Sequence, residues 1–226
     1  MVAGDHLHTH SHHLMLDVLC VCKSGGKVYD AEWVRKLRDG VARNFKFKHR
    51  FRCMSDIEVP CERIPLEHDW PGWWSKIEMF RKGVIENPTL YLDLDTVITG
   101  EIKIAELNLD FAMLSNFWVP EMVGSGVMWF SGDNVPHKVY EKFIRQPLAY
   151  MAHHKRHEDP PYIGDQAFIW DALNREVEHV NEYLPGIYSY KMHCTRRLPK
   201  DASIICFHGL PRPTEVDTDW MKQHWA

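Results

Sequence analysis

The sequence predicts an α/β fold, an α/β/α sandwich whose central sheet is mostly parallel. Short apolar segments with the two-residue period of strands alternate along the chain with segments of helical period. The 226 residues are 45% hydrophobic and include nine tryptophans, which indicates a packed core rather than a disordered chain. This length is typical of one domain, and we expect residues 15–226 to form it.

The first predicted elements are a strand over 16–22 and a helix that begins after Asp30, a residue type that caps helix N-termini. The helix is predicted from apolar residues at helical spacing, namely Val34, Leu37, Val41 and Phe45. A second strand is predicted over 47–53. A further helix is expected after Pro71, with these apolar residues along one face: Trp73, Ile77 and Phe80.

The central predicted strand covers residues 90–97, where leucines alternate with Tyr91, Asp93 and Asp95. Side chains two apart on a strand share a face, so we expect both carboxylates to project together. Two carboxylates this close repel each other and need a cation, and hard divalent ions such as Mg²⁺ or Mn²⁺ prefer oxygen ligands. The pair is therefore the predicted centre of a site.

The remaining elements are predicted in this order: a strand over 111–114, a strand over 126–130, a helix over 137–151, a short helix over 165–173 and a strand over 203–207. Gly164 introduces the short helix, and His208 follows the last strand. In sheets of this kind, active sites gather beyond the carboxyl ends of the strands. Asp93, Asp95 and His208 are thus expected at the same edge.

The N-terminal segment, the apolar runs and the cysteines together predict a cytoplasmic protein. Residues 1–14 contain five histidines and no apolar period, so we expect a disordered leader or a cloning tag there. No apolar run reaches the roughly 18 residues that a membrane helix needs, and no secretory signal is visible. The six cysteines include no C-x-x-C pair, which favours reduced thiols.

Positive charge is concentrated in residues 35–52, which contain eight lysines or arginines and one acid, Asp39, although the whole chain has a net charge of −4. Such a stretch either binds an anionic polymer or a nucleotide's phosphates, or it is a solvated helix face. A shorter basic and histidine-rich segment covers residues 153–157.

Three short motifs carry a resemblance to a known family: the Asp93-x-Asp95 pair, the Gly164-Asp165-Gln166 helix start and His208 after the last strand. Together they resemble glycosyltransferases of the A-type, Rossmann-like fold, most closely the glycogenin and bacterial galactosyltransferase-like group. Residues 208–213 are similar to the segment that closes the site in that group, with Arg212 where a lysine is usual. The order of elements from about residue 16 to 213 agrees with that fold.

The resemblance implies a metal-dependent transfer of a hexose from a nucleotide-diphosphate sugar, with UDP as the expected nucleotide. It implies that Mn²⁺ or Mg²⁺ is held by Asp93, Asp95 and His208. Asp165 would accept hydrogen bonds from donor-sugar hydroxyls or act near the anomeric carbon, and its alternative role is to cap the following helix. The residues implied to bind the donor are Ser55, Asp56, Lys76, Asp93, Gly124, Gly126, Gly209 and Arg212. Arg212 would pair with the diphosphate.

Two other interpretations stay open. The segment from Asp93 to Val97 also matches the first motif of haloacid-dehalogenase-like phosphatases, in which Asp93 would be the nucleophile. In that family the motif lies near the N-terminus, and the later Gly-Asp-x-x-x-Asp cluster is not reproduced here. A non-catalytic module that binds carbohydrate or nucleic acid would explain the aromatic and basic residues but leaves the acids without a role.

The acceptor is open between two classes, a glycan or small hydroxyl compound and DNA with hydroxymethylated pyrimidines. Trp118, Trp129 and Tyr162 are candidates to stack on sugars or bases. The basic segments would also favour association with nucleic acid or with an anionic membrane surface, so the expected cytoplasmic location includes peripheral attachment.

Overall fold

A computed structural model describes residues 15–26, 28–104, 107–154 and 163–226, so the predicted leader over 1–14 lies outside the described residues. The strands are β1 (Leu16–Cys22), β2 (His49–Ser55), β3 (Glu62–Pro65), β4 (Thr89–Leu92), β5 (Thr96–Ile98), β6 (Phe111–Ser115), β7 (Val123–Phe130), β8 (Glu178–His179), β9 (Ile187–Ser189) and β10 (Ile204–Cys206). The α-helices are α1 (Ala31–Asn44), α2 (Lys138–Phe143), α3 (Pro147–His153), α4 (Gly164–Ala172) and α5 (Asp219–His224). Short 3₁₀ helices cover Gly72–Phe80, Val180–Glu182 and Pro213–Glu215, and a π-helical turn covers Tyr190–Cys194.

The main sheet has seven strands in the order β3-β2-β1-β4-β7-β6-β8. Among these described strands, β7 runs against all the others, because it pairs antiparallel with both β4 and β6 while the remaining pairs are parallel. The predicted α/β fold with a mostly parallel sheet is confirmed. The carboxyl ends of β1, β2, β4 and β6 consequently meet at one edge of the sheet.

Both faces of the sheet are covered. Val18 and Cys20 of β1 belong to the core cluster that contains the apolar face of α1, whereas Leu19 and Val21 belong to the cluster that contains the 3₁₀ helix Gly72–Phe80 and α4. This alternation follows from the two-residue period of a strand that is buried on both sides. A small sheet in the order β5-β10-β9 packs in the same cluster as α1.

The predicted strand over 90–97 is two strands. β4 ends at Leu92, and the N–H of Thr96 donates to the carbonyl of Asp93 (3.1 Å), which closes a turn before β5 enters the small sheet. The expectation that Asp93 and Asp95 share one face of a strand is therefore wrong. Aspartate is a poor strand former and a good turn former, so the chain changes sheets at the acid pair.

Other elements agree with the sequence in kind and differ in detail. Oδ1 of Asp30 accepts the N–H groups of Glu32 (2.9 Å) and Trp33 (3.3 Å), which confirms the predicted cap of α1. The helix predicted over 137–151 is divided into α2 and α3 before Pro147, because proline has no N–H to continue a helix. The six cysteines are free thiols, as predicted. None of the described helices combines the length and apolar character needed to cross a bilayer.

Candidate functional site

The carboxyl edge of the main sheet opens into a cavity of about 1030 Å³. The segments that follow β1, β2, β4 and β6 line it, together with the start of β7 and the chain after β10. The predicted site residues on its wall are Asp56, Lys76, Asp93, Asp95, Gly124, Gly126, Asp165, His208, Gly209 and Arg212. The fold thus gathers residues from six separate segments at the place where a parallel sheet most often binds ligands.

Asp93 and Asp95 project from the turn between β4 and β5 at the centre of this cavity. The hydroxyl of Tyr91 donates to Asp93 Oδ1 (2.6 Å), and the hydroxyl of Tyr29 donates to Asp95 Oδ2 (3.0 Å). Asp95 is buried, with 8% of its surface exposed. Both carboxylates are therefore held in place by hydrogen bonds from tyrosines that the sequence analysis did not assign to the site.

Lys76 reaches the same centre from the 3₁₀ helix Gly72–Phe80. Its Nζ lies 2.8 Å from Asp93 Oδ1 and 3.4 Å from Asp165 Oδ2, and it donates to Ser125 Oγ (3.1 Å). Burial by itself lowers the pKa of Lys76, but the charges of Asp165 and Asp93 raise it above its usual value. The side chain is a buried cation between two acids, and it does not lie on a solvated face of the helix.

The acids of this centre outnumber its cation. Burial and the charge of Asp93 raise the pKa of Asp95 to about 7. Burial also raises the pKa of Asp165, although Lys76 opposes the shift. Asp165 is itself buried, and its Oδ2 faces the ammonium of Lys76 at 3.4 Å. Three carboxylates around one ammonium leave a site that a further cation or a hydrogen-bond donor would complete.

A divalent cation fits the Asp93 and Asp95 carboxylates. Hard ions such as Mn²⁺ and Mg²⁺ prefer these oxygens, and an added positive charge would relieve the repulsion that raises the pKa of Asp95. In the part of the chain that the structure describes, no three His, Cys, Asp or Glu side chains lie at ligand spacing. The remaining ligands of such an ion would therefore come from a substrate or from a reoriented side chain.

His208 lies beside the acid turn, but its ring is directed elsewhere. The N–H of Phe207 donates to the carbonyl of Asp95 (3.3 Å), whereas Nε2 of His208 lies 2.6 Å from Ser189 Oγ. The ring stacks on Phe117 and meets Trp118 edge to face, with centroids 4.4 Å apart. Burial, followed by the charge of Lys191, lowers the pKa of His208 to about 4, so the imidazole is neutral at pH 7, the form that binds metals.

Asp56 is held in the part of the cavity beyond β1 and β2. It accepts hydrogen bonds from Lys23 Nζ (2.6 Å), Ser24 Oγ (2.6 Å) and the N–H of Ser24 (2.8 Å). Burial opposes ionisation, but these bonds lower the pKa of Asp56 to about 2. Ser55 is fully buried and does not line the cavity, because its hydroxyl donates to the carbonyl of Cys22 (2.7 Å) and so links the ends of β1 and β2.

The predicted glycines and Arg212 occupy the remaining wall. A Cβ on Gly126 would lie 3.5 Å from Asp93 Oδ2, so the backbone of β7 passes directly beside the acid. Gly209 has φ of +86°, which favours glycine. The guanidinium of Arg212 lies 6.0 Å from the ring centre of Tyr29, and its Nε has no hydrogen-bond partner among the described residues.

The structure excludes the helix-capping role considered for Asp165. Helix α4 begins at Gly164, its N-cap is Ile163, and no side chain caps it. Asp165 lies in the first turn and faces Lys76, so the capping role is not observed. Tyr29, Tyr91 and Ser125 are the site residues that the sequence analysis missed. The signals that could have indicated them are the positions of Tyr91 two residues before Asp93 and of Ser125 between two predicted glycines.

The aromatic and basic candidates for an acceptor site separate in the structure. Trp118 lines the cavity and is 56% exposed, whereas Trp129 is buried in the core. Tyr162 and residues 155–157 of the second basic segment lie outside the described residues. In the stretch 35–52, ion pairs to nearby acids are made by Arg35, Arg38, Lys46, Arg50 and Arg52. Much of that positive charge is thus neutralised within the protein.

Solved structures of glycosyltransferases share this architecture. The chain superposes on the glycosyltransferase GlyE of Streptococcus pneumoniae TIGR4 with a TM-score of 0.57 at 11% identity, and on its apo form with 0.54 at 14% identity, covering in each case 88% of this chain and 56% of that one. It superposes on the bifunctional glycosyltransferase WbbM with a TM-score of 0.60 at 12% identity, covering 93% of this chain and 49% of that one. The chain has the A-type glycosyltransferase fold.

The likeness is one of fold, because the identities are low. The chain spans about half the length of the GlyE and WbbM chains that it matches. No protein-family model matches it, and neither does any curated protein. In this A-type fold the acid turn lies at the carboxyl edge, where the predicted motif was expected, and the phosphatase interpretation of Asp93 gains no support from these neighbours.

Proposed function

We propose that the protein is a metal-dependent glycosyltransferase that moves a hexose from a nucleotide-diphosphate sugar, with UDP as the nucleotide, to a hydroxyl acceptor. The observation that carries this proposal is the acidic centre of the cavity, where Lys76 pairs with Asp93 and Asp165 and where Asp95 adds a third carboxylate from the same turn as Asp93. This surplus of carboxylates lies at the edge of the sheet, in a fold shared with glycosyltransferases. A nucleotide sugar with its cation supplies the positive charge and hydroxyl donors that the centre lacks.

In this proposal Asp93 and Asp95 hold Mn²⁺ or Mg²⁺, with His208 as a third ligand if its ring leaves Ser189. When bound, the ion would supply Lewis-acid stabilisation of the negative charge on the leaving diphosphate. The neutral imidazole of His208 suits the role of ligand, since its low pKa keeps a lone pair available at pH 7.

The chain's own groups position the donor. Arg212 has an unpartnered Nε at the cavity wall and would pair with the diphosphate. Asp165, which is buried beside Lys76 on the cavity wall, would accept a hydroxyl of the donor sugar. Lys76 fixes Asp93 and Asp165 relative to each other. Asp56, ionised and held by Lys23 and Ser24, would accept hydrogen bonds from the ribose or base.

The acceptor is a glycan or another small hydroxyl compound in this proposal. DNA with hydroxymethylated pyrimidines is the other class, and it would need a basic surface that attracts phosphates. The ion pairs within residues 35–52 reduce the charge available for that purpose. If the affinity for the acceptor falls steeply as salt is added, the acceptor is DNA. If the affinity for the acceptor does not depend on salt, the acceptor is a neutral compound.

Calorimetric titration of UDP tests the donor site. We expect binding in Mn²⁺, weak or no binding in EDTA, and loss of the Mn²⁺-dependent heat in Asp95→Asn. Asp217→Asn is the matched control, because Asp217 is a surface acid that pairs only with Lys222 among the ion pairs of the described residues. Absence of binding of UDP and of other nucleoside diphosphates with every divalent ion tried would overturn the proposal.

A further inference from the structure

The order of the strands divides the cavity about the acid turn. β4, which ends just before Asp93, lies between β1 and β7 in the sheet. On one side, the ends of β1 and β2 carry Ser24 and Asp56. On the other side, the end of β6 leads into the turn that carries Trp118. A group-transfer site needs room for two substrates, one on each side of the reacting centre, and this cavity has two such halves.

The backbone at Trp118 is fixed by hydrogen bonds, although the side chain is exposed. Oδ1 of Asn116 accepts the N–H groups of Trp118 (2.9 Å) and Val119 (3.1 Å), which fixes the turn between β6 and β7. The indole packs against the ring of His208 in a T-shaped arrangement, with a centroid distance of 4.4 Å and an interplanar angle of 84°. A large aromatic face that is 56% exposed on a cavity wall is costly to leave in water, and its position indicates a ligand.

Trp73 supplies a second exposed indole to the same cavity from the start of the 3₁₀ helix Gly72–Phe80. It is 53% exposed, and it packs so closely on the start of α4 that a Cβ on Gly164 would lie 3.0 Å from its Nε1. Gly164 has φ of +75°, a conformation that favours glycine. The close contact places Trp73 next to Asp165, which follows Gly164 in the chain.

The charges around this half of the cavity suit a neutral ligand. Among the described lining residues, Lys23 is paired with Asp56 and Asp69, and Lys76 is paired with Asp93 and Asp165. The lining segments 114–118 and 124–126 contain no lysine or arginine. Lys191, whose Nζ lies 5.8 Å from the ring centre of Trp118, is a cation near this half, and Arg212 lines the cavity from the segment after β10. A polyanion would find little compensation here, whereas a sugar ring offers an apolar face to an indole and hydroxyls to the surrounding acids.

We propose that Trp118, with Trp73 as a second contact, forms the acceptor subsite and binds the uncharged sugar ring of a glycan by stacking. This inference rests on the proposed glycosyl transfer and narrows its acceptor to a carbohydrate. Trp118 is a specificity-determining residue in this assignment, because a flat aromatic face selects a ring with an apolar surface. Its contact with His208 places that ring near the acid turn.

Saturation-transfer NMR with methyl glycosides tests the subsite in the full chain with UDP and Mn²⁺ present. The probes are the methyl glycosides of glucose, galactose and N-acetylglucosamine, and a short single-stranded DNA that contains hydroxymethylcytosine. We expect at least one glycoside to bind the wild type, about tenfold or more weaker binding to Trp118→Ala, and recovery to within about threefold in Trp118→Phe. Phe47→Ala is the matched control, because Phe47 is a 51% exposed aromatic that precedes β2 at the opposite edge of the sheet.

Titration of UDP into the same variants separates this inference from the proposed function. Phe47→Ala should bind UDP as the wild type does, and Trp118→Ala should keep Mn²⁺-dependent binding of UDP. If no variant binds a nucleoside diphosphate, the proposed function fails. If UDP binds but no glycoside does, or if glycosides bind Trp118→Ala as well as the wild type, the subsite assignment is overturned. Binding of the DNA probe in place of the glycosides would also overturn it, in favour of a nucleic-acid acceptor.

Discussion

The two edges of the main sheet each contain buried aspartate, but the balance between acids and cations is opposite at the two edges. At the amino edge, Asp17 of β1 is fully buried and accepts hydrogen bonds from Arg50 Nε and Nη2 (both 2.8 Å) and from Arg52 Nη1 (3.2 Å). One acid thus faces two arginines. At the carboxyl edge, Asp93, Asp95 and Asp165 share a single buried cation, Lys76.

The contrast separates an acid that supports the fold from acids that are ready to bind. A carboxylate with a full set of donors gains nothing from a ligand, and removing it leaves its partners buried and unpaired. Carboxylates in excess of their cations raise one another's pKa. They gain stability when a ligand supplies positive charge or hydroxyl groups that donate to them. Charge balance in the folded state therefore indicates function more directly than the presence of acids in the sequence.

The largest effect is expected from Asp17→Ala. The change removes the three hydrogen bonds from Arg50 and Arg52 to a buried carboxylate and leaves Glu62 as their acidic partner, so we expect the free energy of unfolding to fall by about 3–5 kcal/mol. Urea denaturation measures this loss, and calorimetry should show unchanged affinity for UDP in the fraction that stays folded. Glu101→Gln, which removes the partner of Lys46 at the surface, is the control and should have almost no effect. A loss of UDP affinity in Asp17→Ala would contradict the division between the two edges.

Lys76→Met is expected to have the next largest effect. It removes the cation from among three carboxylates, and we expect the free energy of unfolding in EDTA to fall by about 2–4 kcal/mol. Adding Mn²⁺ should restore part of this lost stability, because the ion would replace part of the missing positive charge. Denaturation curves in EDTA and in Mn²⁺ measure both. An equal loss in the two conditions would argue against a cation at the acid turn.

Asp95→Asn should stabilise the protein in EDTA, in the opposite direction from Asp17→Ala. The pKa of Asp95 is about 7 in the folded protein and near 3.8 when unperturbed, so between these values the folded state binds a proton that the unfolded state lacks. The contribution of Asp95 to stability therefore falls as pH rises from about 4 to 7 and is then constant. The free energy of unfolding of Asp95→Asn should therefore exceed that of the wild type by an amount that grows to roughly 2–4 kcal/mol as pH rises from about 4 to 7.

Denaturation of wild type and Asp95→Asn across that pH range measures the gain, and Mn²⁺ should reduce it by stabilising the ionised wild-type carboxylate. A difference between the two proteins that does not change with pH would show that Asp95 is not a strained acid.

The smallest effect is expected from Tyr29→Phe, which removes one hydrogen bond to Asp95 Oδ2. Because this donor favours the ionised carboxylate, its loss should raise the pKa of Asp95 further and cost about 0.5–1.5 kcal/mol above pH 7. The double variant Tyr29→Phe with Asp95→Asn provides the control, since the two effects should not add. Full additivity would mean that the hydroxyl acts on something other than Asp95.

The sequence by itself determined the local elements and the chemistry of the acid pair. The bounds of β1, the Asp30 cap of α1 and the alternation of strands with helices follow from patterns within a few residues, and they are found in the structure. The resemblance carried by Asp93-x-Asp95, the Gly164-Asp165-Gln166 helix start and His208 predicted the A-type fold, whereas the alternation of strands and helices predicted only the mostly parallel sheet.

Only the tertiary structure decided which groups meet. It placed the acid pair on a turn between two sheets, buried Lys76 between Asp93 and Asp165, directed Ser55 to Cys22 and His208 to Ser189, and neutralised Arg50 and Arg52 with Asp17. Apart from the turn that Asp93 and Thr96 close, these contacts join residues that are distant in the chain. Partner choice depends on burial and on the charges of other elements, and neither quantity is contained in a local pattern.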